Sequence, residues 1–100
     1  PVTASGSVDS GTFTVDLQQH GFDPEGHPLQ IADLLWTDTG QPGLLPAGFS
    51  LDAEGDAILV DTNSPAYDNT VGEFATHFSY NVVDPFGAIA AQTATISIFG

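Results

Sequence analysis

Lysine, arginine, cysteine and methionine are all absent from this 100-residue sequence. Its 13 aspartate and glutamate residues therefore have no permanent cation beside them, and the formal net charge at pH 7 is -13. No lysine or arginine salt bridge can form, and lysine-dependent chemistry such as a Schiff base is excluded. Each carboxylate must instead bind water, a backbone N–H, a histidine or a metal cation.

These absences also restrict the partners of the chain. Nucleic acid and anionic lipid bind through basic side chains that neutralise phosphate, so we expect neither as a partner. Without cysteine there are no disulfides, thiolate nucleophiles or cysteine zinc sites. No apolar run approaches the roughly 18 residues that span a bilayer, so we expect no membrane insertion, and the first residues lack the pattern of an export signal.

The length and composition fit one domain. With 41% apolar residues, 100 residues provide a single hydrophobic core, so we expect one domain over residues 1–100. Both termini have linker-like composition, and we expect the domain to be one piece of a longer, multi-repeat chain. In isolation we expect it to be a monomer.

Short segments of alternating apolar and polar residues, separated by glycine and proline, predict strands and no helix. A break in the alternation near Ala32 indicates a β-bulge. The turn at Asp52–Asp56 is expected to place Gly55 at positive φ. The spacing predicts an all-β fold, a seven-stranded antiparallel β-sandwich, with strands at residues 2–4, 12–18, 28–36, 48–51, 57–60, 74–83 and 88–99.

Several acidic residues are expected to cluster at one end of this sandwich. If each strand reverses direction, the connections after the second, fourth and sixth strands emerge together. Like charges a few ångströms apart at a surface repel by roughly 1–4 kcal/mol per pair, so a cation would stabilise this end. Because Ca²⁺ prefers oxygen ligands from acidic loops, we predict a calcium site here, with its candidate ligands at Asp23, Glu25, Asp84, Asp52 and Asp56.

Other interpretations of this acidic end remain open. The carboxylates could only keep the sheet end solvated, or belong to a surface adapted to high salt. His20 and His27 bracket the acidic loop, which permits a transition-metal site. No G-x-S-x-G motif or activated nucleophile is present, so we do not expect an enzyme.

The aromatic residues divide into core and surface candidates. Trp36 and Tyr80 lie on predicted strands and are expected in the core. His77 alternates with core positions and is expected to face solvent. Phe86 lies at the tip of a loop, where exposure would favour contact with a neighbouring domain or a ligand, so it is the candidate ligand-binding residue.

Three stretches of the sequence resemble a known repeat family. They are VDLQQHGFDPEGHPLQI at 15–31, the segment from GFSLDAEGDAILV to FSYNVVDPFG at 48–87, and AAQTATISIFG at 90–100. Together they resemble the cadherin-like and VCBS-type tandem repeats of large bacterial surface adhesins, often those with RTX tails.

The resemblance implies an Ig-like (cadherin-like) sandwich that binds Ca²⁺ in its acidic end loops and at junctions between repeats. Asp23, Glu25 and Asp84 match acidic positions of the family pattern, whereas Gly21 and His27 stand where many members have acidic residues. The implied function is a non-enzymatic, calcium-stabilised structural repeat, an extender module that is extracellular and supports cell adhesion or biofilm formation. Its partners would be neighbouring repeats of the same chain.

A second interpretation is a ligand-binding sandwich that recognises a glycan or a protein through its loops. The segment Thr37–Pro46 is long for a spacer and is the candidate loop for such recognition.

Overall fold

A computed structural model describes residues 2–18, 29–41 and 43–100 of the protein. These residues form an all-β structure that contains strands, turns and one short 3₁₀ segment, Pro65–Tyr67. In this part of the chain no helix has the length and apolar character to cross a bilayer. The strands, in chain order, are β1 (Val2–Ser7), β2 (Thr12–Asp16), β3 (Gln30–Trp36), β4 (Phe49–Leu51), β5 (Ala57–Asp61), β6 (Glu73–Val83) and β7 (Ile89–Phe99).

The strands form two sheets that pack as a β-sandwich. The first sheet has the order β1-β7-β6-β3, and the second has the order β2-β5-β4. All neighbouring strands are antiparallel except β1 and β7, which pair in parallel from Val2 opposite Ala94 to Ser7 opposite Phe99. The prediction of a fully antiparallel sandwich is therefore wrong at this pair. Two odd-numbered strands of a chain that reverses at every turn run in the same direction, so they become parallel when they are neighbours.

The longest element is the β6–β7 hairpin, which pairs in register from Glu73 opposite Phe99 to Val83 opposite Ile89. The expected bulge in β3 is confirmed, because the register with β6 shifts between Ala32 and Leu35. Inside the bulge Asp33 has a φ of 57°, in the left-handed region that few non-glycine residues adopt.

The core lies between the two sheets. Its largest members include Phe78 from the first sheet and Ile58 from the second, and the Phe78 ring stacks on Phe49 with the ring centroids 6.0 Å apart. Tyr80 is buried as predicted, and its hydroxyl donates a hydrogen bond to the Leu17 carbonyl at 2.8 Å. Trp36 is half-buried and packs against the edge of this core.

The turns after β4 and β6 lie at the same end of the sandwich, in agreement with the prediction. In the second sheet the Leu17 N–H donates to the Asp56 carbonyl at 3.1 Å. The Gln18 side-chain amide then donates to the Leu29 carbonyl at 2.7 Å, next to the start of β3, which pairs with the end of β6. We call this end of the molecule, with the turns 52–56 and 84–88, the acidic end.

Candidate functional site

Asp52 organises the first turn of the acidic end. Its Oδ1 accepts hydrogen bonds from the backbone N–H groups of Asp56 at 2.8 Å and Ala57 at 3.3 Å. Its carbonyl accepts from the Gly55 N–H at 3.1 Å, and Gly55 has the predicted positive φ, 75°. One carboxylate oxygen of this candidate calcium ligand therefore already closes its own hairpin turn.

Asp84 does the same work in the second turn. Its Oδ1 accepts from the backbone N–H groups of Phe86 at 2.9 Å and Ala88 at 2.8 Å, while its carbonyl accepts from the Gly87 N–H at 3.2 Å. The residue types follow the requirements of a type I turn, with aspartate first, Pro85 second and glycine fourth. In both turns, therefore, the side chain of the first aspartate accepts hydrogen bonds from backbone N–H groups of its own turn.

Three of the five candidate calcium ligands lie among the described residues. Asp52, Asp56 and Asp84 belong to the described acidic end, and all three are half-buried. Asp23 and Glu25 lie outside the described residues, as do His20 and His27. Within 2–18, 29–41 and 43–100, no group of three or more histidine, aspartate or glutamate side chains could hold a metal ion. Since Ca²⁺ takes 6–8 oxygen ligands, a calcium ion here would need further oxygens from other residues, backbone carbonyls or water.

Phe86 occupies the tip of the 84–88 turn and is 74% exposed, as expected for a loop-tip aromatic. Ile89, three residues later and the first residue of β7, is 65% exposed. The acidic end therefore presents large apolar side chains as well as carboxylates.

The opposite end of the sandwich also exposes apolar side chains. Val71 is 94% exposed and precedes β6, while Phe99 ends β7 and is partly exposed. The Gly100 N–H donates to the Gly72 carbonyl at 2.8 Å, which holds these two segments together. The β6–β7 register runs from Glu73 opposite Phe99 to Val83 opposite Ile89, so these apolar groups lie at the two ends of the hairpin, in a molecule that measures 45 × 25 × 22 Å.

Other carboxylates are also satisfied by neutral donors. Asp16 accepts from the Gln18 N–H at 2.8 Å, and Asp61 accepts from the Asn63 N–H at 2.9 Å. Glu73 accepts from the Ser97 hydroxyl at 2.7 Å. The sequence required partners other than lysine and arginine, and backbone N–H groups and hydroxyls supply many of them.

Asp38 has three donors or contacts among the described residues. Its Oδ2 accepts from the His77 backbone N–H at 2.9 Å and from the Trp36 indole at 3.0 Å, and its Oδ1 lies 3.0 Å from His77 Nδ1. Partial burial disfavours the charged form and raises the pKa of Asp38, but these hydrogen bonds outweigh it, so its pKa lies below the usual value. His77 faces solvent, as predicted. Sequence reasoning missed this cluster because 39 residues separate its partners.

The turn-capping role of Asp84 gives a prediction that separates it from a calcium role. Replacement by alanine removes the acceptor for two backbone N–H groups and is expected to destabilise the domain by about 1–2 kcal/mol, even in EDTA. Asp84→Asn keeps an acceptor oxygen and removes the charge, so it should retain most of that stability in EDTA. Chemical unfolding of both variants in EDTA measures this, and equal losses for the two variants would contradict the turn-capping role.

Comparisons with known proteins give a fold and no family. No family model matches the chain, and no curated protein matches it. The structure is similar to that of a nucleoside hydrolase-related hypothetical protein from Saccharophagus degradans that is associated with carbohydrate metabolism, with a TM-score of 0.54 and 15% sequence identity. The match covers 97% of this chain and 22% of that one. At this identity the likeness supports the fold alone.

Proposed function

We propose that this domain is a calcium-stabilised structural repeat, an extender module of a large extracellular bacterial adhesin. The observation that carries the proposal is the exposure of large apolar side chains at both ends of an elongated sandwich, at Phe86 and Ile89 and at Val71 and Phe99. Side chains of this kind are stabilised when a neighbouring unit covers them. End-on contact between successive repeats would cover both sets and leave the long flanks in solvent.

The strand order supports an Ig-like topology for this module. In an Ig-like sandwich with strands A to G, strands B, E and D share one sheet, and C, F and G share the other. Here β2-β5-β4 and β3-β6-β7 match those groups, whereas β1 lies beside β7 and not in the sheet of β2, where strand A of a constant-type Ig domain lies.

Charge supports a role for calcium in the proposal. With a net charge of -13 and no lysine or arginine, successive repeats repel one another unless a cation lies between or within them. Asp52, Asp56 and Asp84 would contribute carboxylates at the acidic end, and Asp23 and Glu25 would complete the shell. Bound Ca²⁺ would supply positive charge there and link the loops that follow β2, β4 and β6.

Two copies of the chain joined in tandem test the end-on contact. We expect small-angle scattering in Ca²⁺ to give a rod about twice the 45 Å length of one unit. The two-copy protein should also melt at a higher temperature than one copy, because apolar surface is buried at the joint. Val71→Asp in the first copy with Ile89→Asp in the second should remove this gain.

A matched control shows whether the loss depends on charges at the two ends and not on added charge in general. Thr14→Asp adds the same charge on an exposed flank position of β2 and should leave the gain intact when introduced into both copies. Scattering from two freely jointed units, with the melting temperature of a single copy, would contradict the proposed joint.

A further inference from the structure

The outer face of the first sheet carries an open depression of about 560 Å³ that the spacer function does not use. It lies across β3, β6 and β7, and we call it the sheet-face depression. Its lining includes Asp33, Ser79, Asn81, Ala91, Gln92 and Thr93. On this outer face Asp33, Ser79, Asn81 and Thr93 carry a carboxylate, amide or hydroxyl group, so the surface offers both donors and acceptors.

The sheet register explains the shape of the depression. Asn81 on the central strand β6 faces alanine on both neighbouring strands, Ala32 and Ala91. Ser79 faces Thr93 across the same pair of strands. The short side chains around Asn81 leave a shallow space on the sheet surface, and the Asn81 amide projects into it.

The β3 bulge brings a carboxylate to this space. Asp33 has a φ of 57°, and its Oδ2 accepts a hydrogen bond from Asn81 Nδ2 at 3.0 Å. Three groups can still form hydrogen bonds with a ligand: Asp33 Oδ1, the Asn81 amide oxygen and the second Asn81 N–H. A bulge often redirects a side chain in this way, and a left-handed non-glycine residue is a reason to examine the site for function.

We propose that the sheet-face depression binds a neutral glycan, a role that goes beyond that of a structural spacer. Adjacent sugar hydroxyls donate and accept at once, so they match a carboxylate and an amide held side by side. A protein with no lysine or arginine and a net charge of -13 repels anionic polysaccharides, and the hydroxyl groups of an uncharged sugar match the paired carboxylate and amide. The volume is within the range of small-molecule sites.

The test is a titration followed by backbone amide chemical shifts, at fixed Ca²⁺ and salt. The probes are cellohexaose, maltohexaose, laminarihexaose and mannohexaose. We expect saturable shifts for at least one of them, confined to residues 32–35, 79–81 and 91–93. Asp33→Gly removes the carboxylate and suits the left-handed backbone, so it should weaken binding by about tenfold or more without unfolding the sheet.

Asp9→Gly is the matched control, since Asp9 is also an exposed aspartate at positive φ, 58°, and lies outside the depression. It should leave the affinity unchanged. The proposal is overturned by no saturable shift with any of the four probes, by shifts centred on 84–88, by unchanged affinity in Asp33→Gly, or by equal binding of polygalacturonate. Apart from shifts centred on 84–88, which would place a ligand at the acidic end, none of these results bears on calcium or the end-on joint, so the two proposals can fail independently.

Discussion

Replacement of Phe78 with alanine is expected to destabilise the domain by about 3–5 kcal/mol, which is the usual effect of deleting a buried aromatic ring. Phe78 is 1% exposed and stacks on Phe49, so its ring joins the two sheets. Because small domains are stable by only about 5–15 kcal/mol, this loss is a large fraction of the total stability. Urea unfolding of the two proteins measures the difference.

Phe86→Ala is the control for this prediction, because it removes the same ring from a site that is 74% exposed. Its loss should be about 1 kcal/mol or less. Equal losses for Phe78→Ala and Phe86→Ala would contradict the packing of the two sheets around Phe78.

Replacement of Gly48 with alanine is the second large effect and should cost about 2–4 kcal/mol. Gly48 has a φ of 78°, and an added Cβ would lie 2.9 Å from the Asp61 carbonyl oxygen. The Asp61 N–H also donates to the Gly48 carbonyl at 2.9 Å, so the two backbones cannot separate without loss of that bond. Thermal and urea unfolding would measure the loss.

Gly55→Ala separates the cost of the left-handed backbone from the cost of the close contact with Asp61. Gly55 has a φ of 75°, but an added Cβ there would meet nothing within 4 Å. Only the left-handed backbone opposes alanine, and the expected loss is about 1–2 kcal/mol. If Gly48→Ala were no worse than Gly55→Ala, the close approach of the loop before β4 to the end of β5 would be contradicted.

Much of the fold could be predicted because its signals are local. The period of each strand, the bulge near Ala32 and the positive φ of Gly55 depend on neighbouring residues. The parallel pairing of β1 with β7 could not be predicted in the same way, since it joins Val2 to Ala94 across almost the whole chain. Chain reversal fixes the direction of each strand, but only packing decides which strands are neighbours.

The same distinction applies to the carboxylates. The Asp-x-x-Gly spacing at Asp52 and Asp84 is a readable signal for an aspartate that caps its own turn, and the candidate metal ligands could have been assigned this second role from sequence. The Asp38–His77 contact has no such signal, because the loop after β3 brings Asp38 to His77 in the middle of β6. Nor does the sequence show that Asp33 bonds Asn81, which requires the bulge and the β3–β6 register.

Because backbone N–H groups already bind these aspartates, calcium is not needed to form the two turns. Asp52 and Asp84 each commit one oxygen to a turn, so their remaining oxygens are the ones that would face a cation. The turns should therefore form without metal, and calcium should add stability to an already folded end. A chain that is wholly unfolded without Ca²⁺ would not agree with this arrangement.

Thermal unfolding in EDTA and in Ca²⁺ at one ionic strength tests whether calcium stabilises the domain. If the affinity is about 10⁻⁴–10⁻³ M, as in extracellular modules, 10 mM Ca²⁺ stabilises by roughly 1.4–2.7 kcal/mol. For a domain of this size that is a rise of about 6–20 °C in melting temperature. We expect this rise with Ca²⁺, a much smaller one with Mg²⁺, and its loss in Asp23→Asn and Asp84→Asn. Equal melting temperatures in EDTA, Mg²⁺ and Ca²⁺ would contradict stabilisation of the domain by calcium.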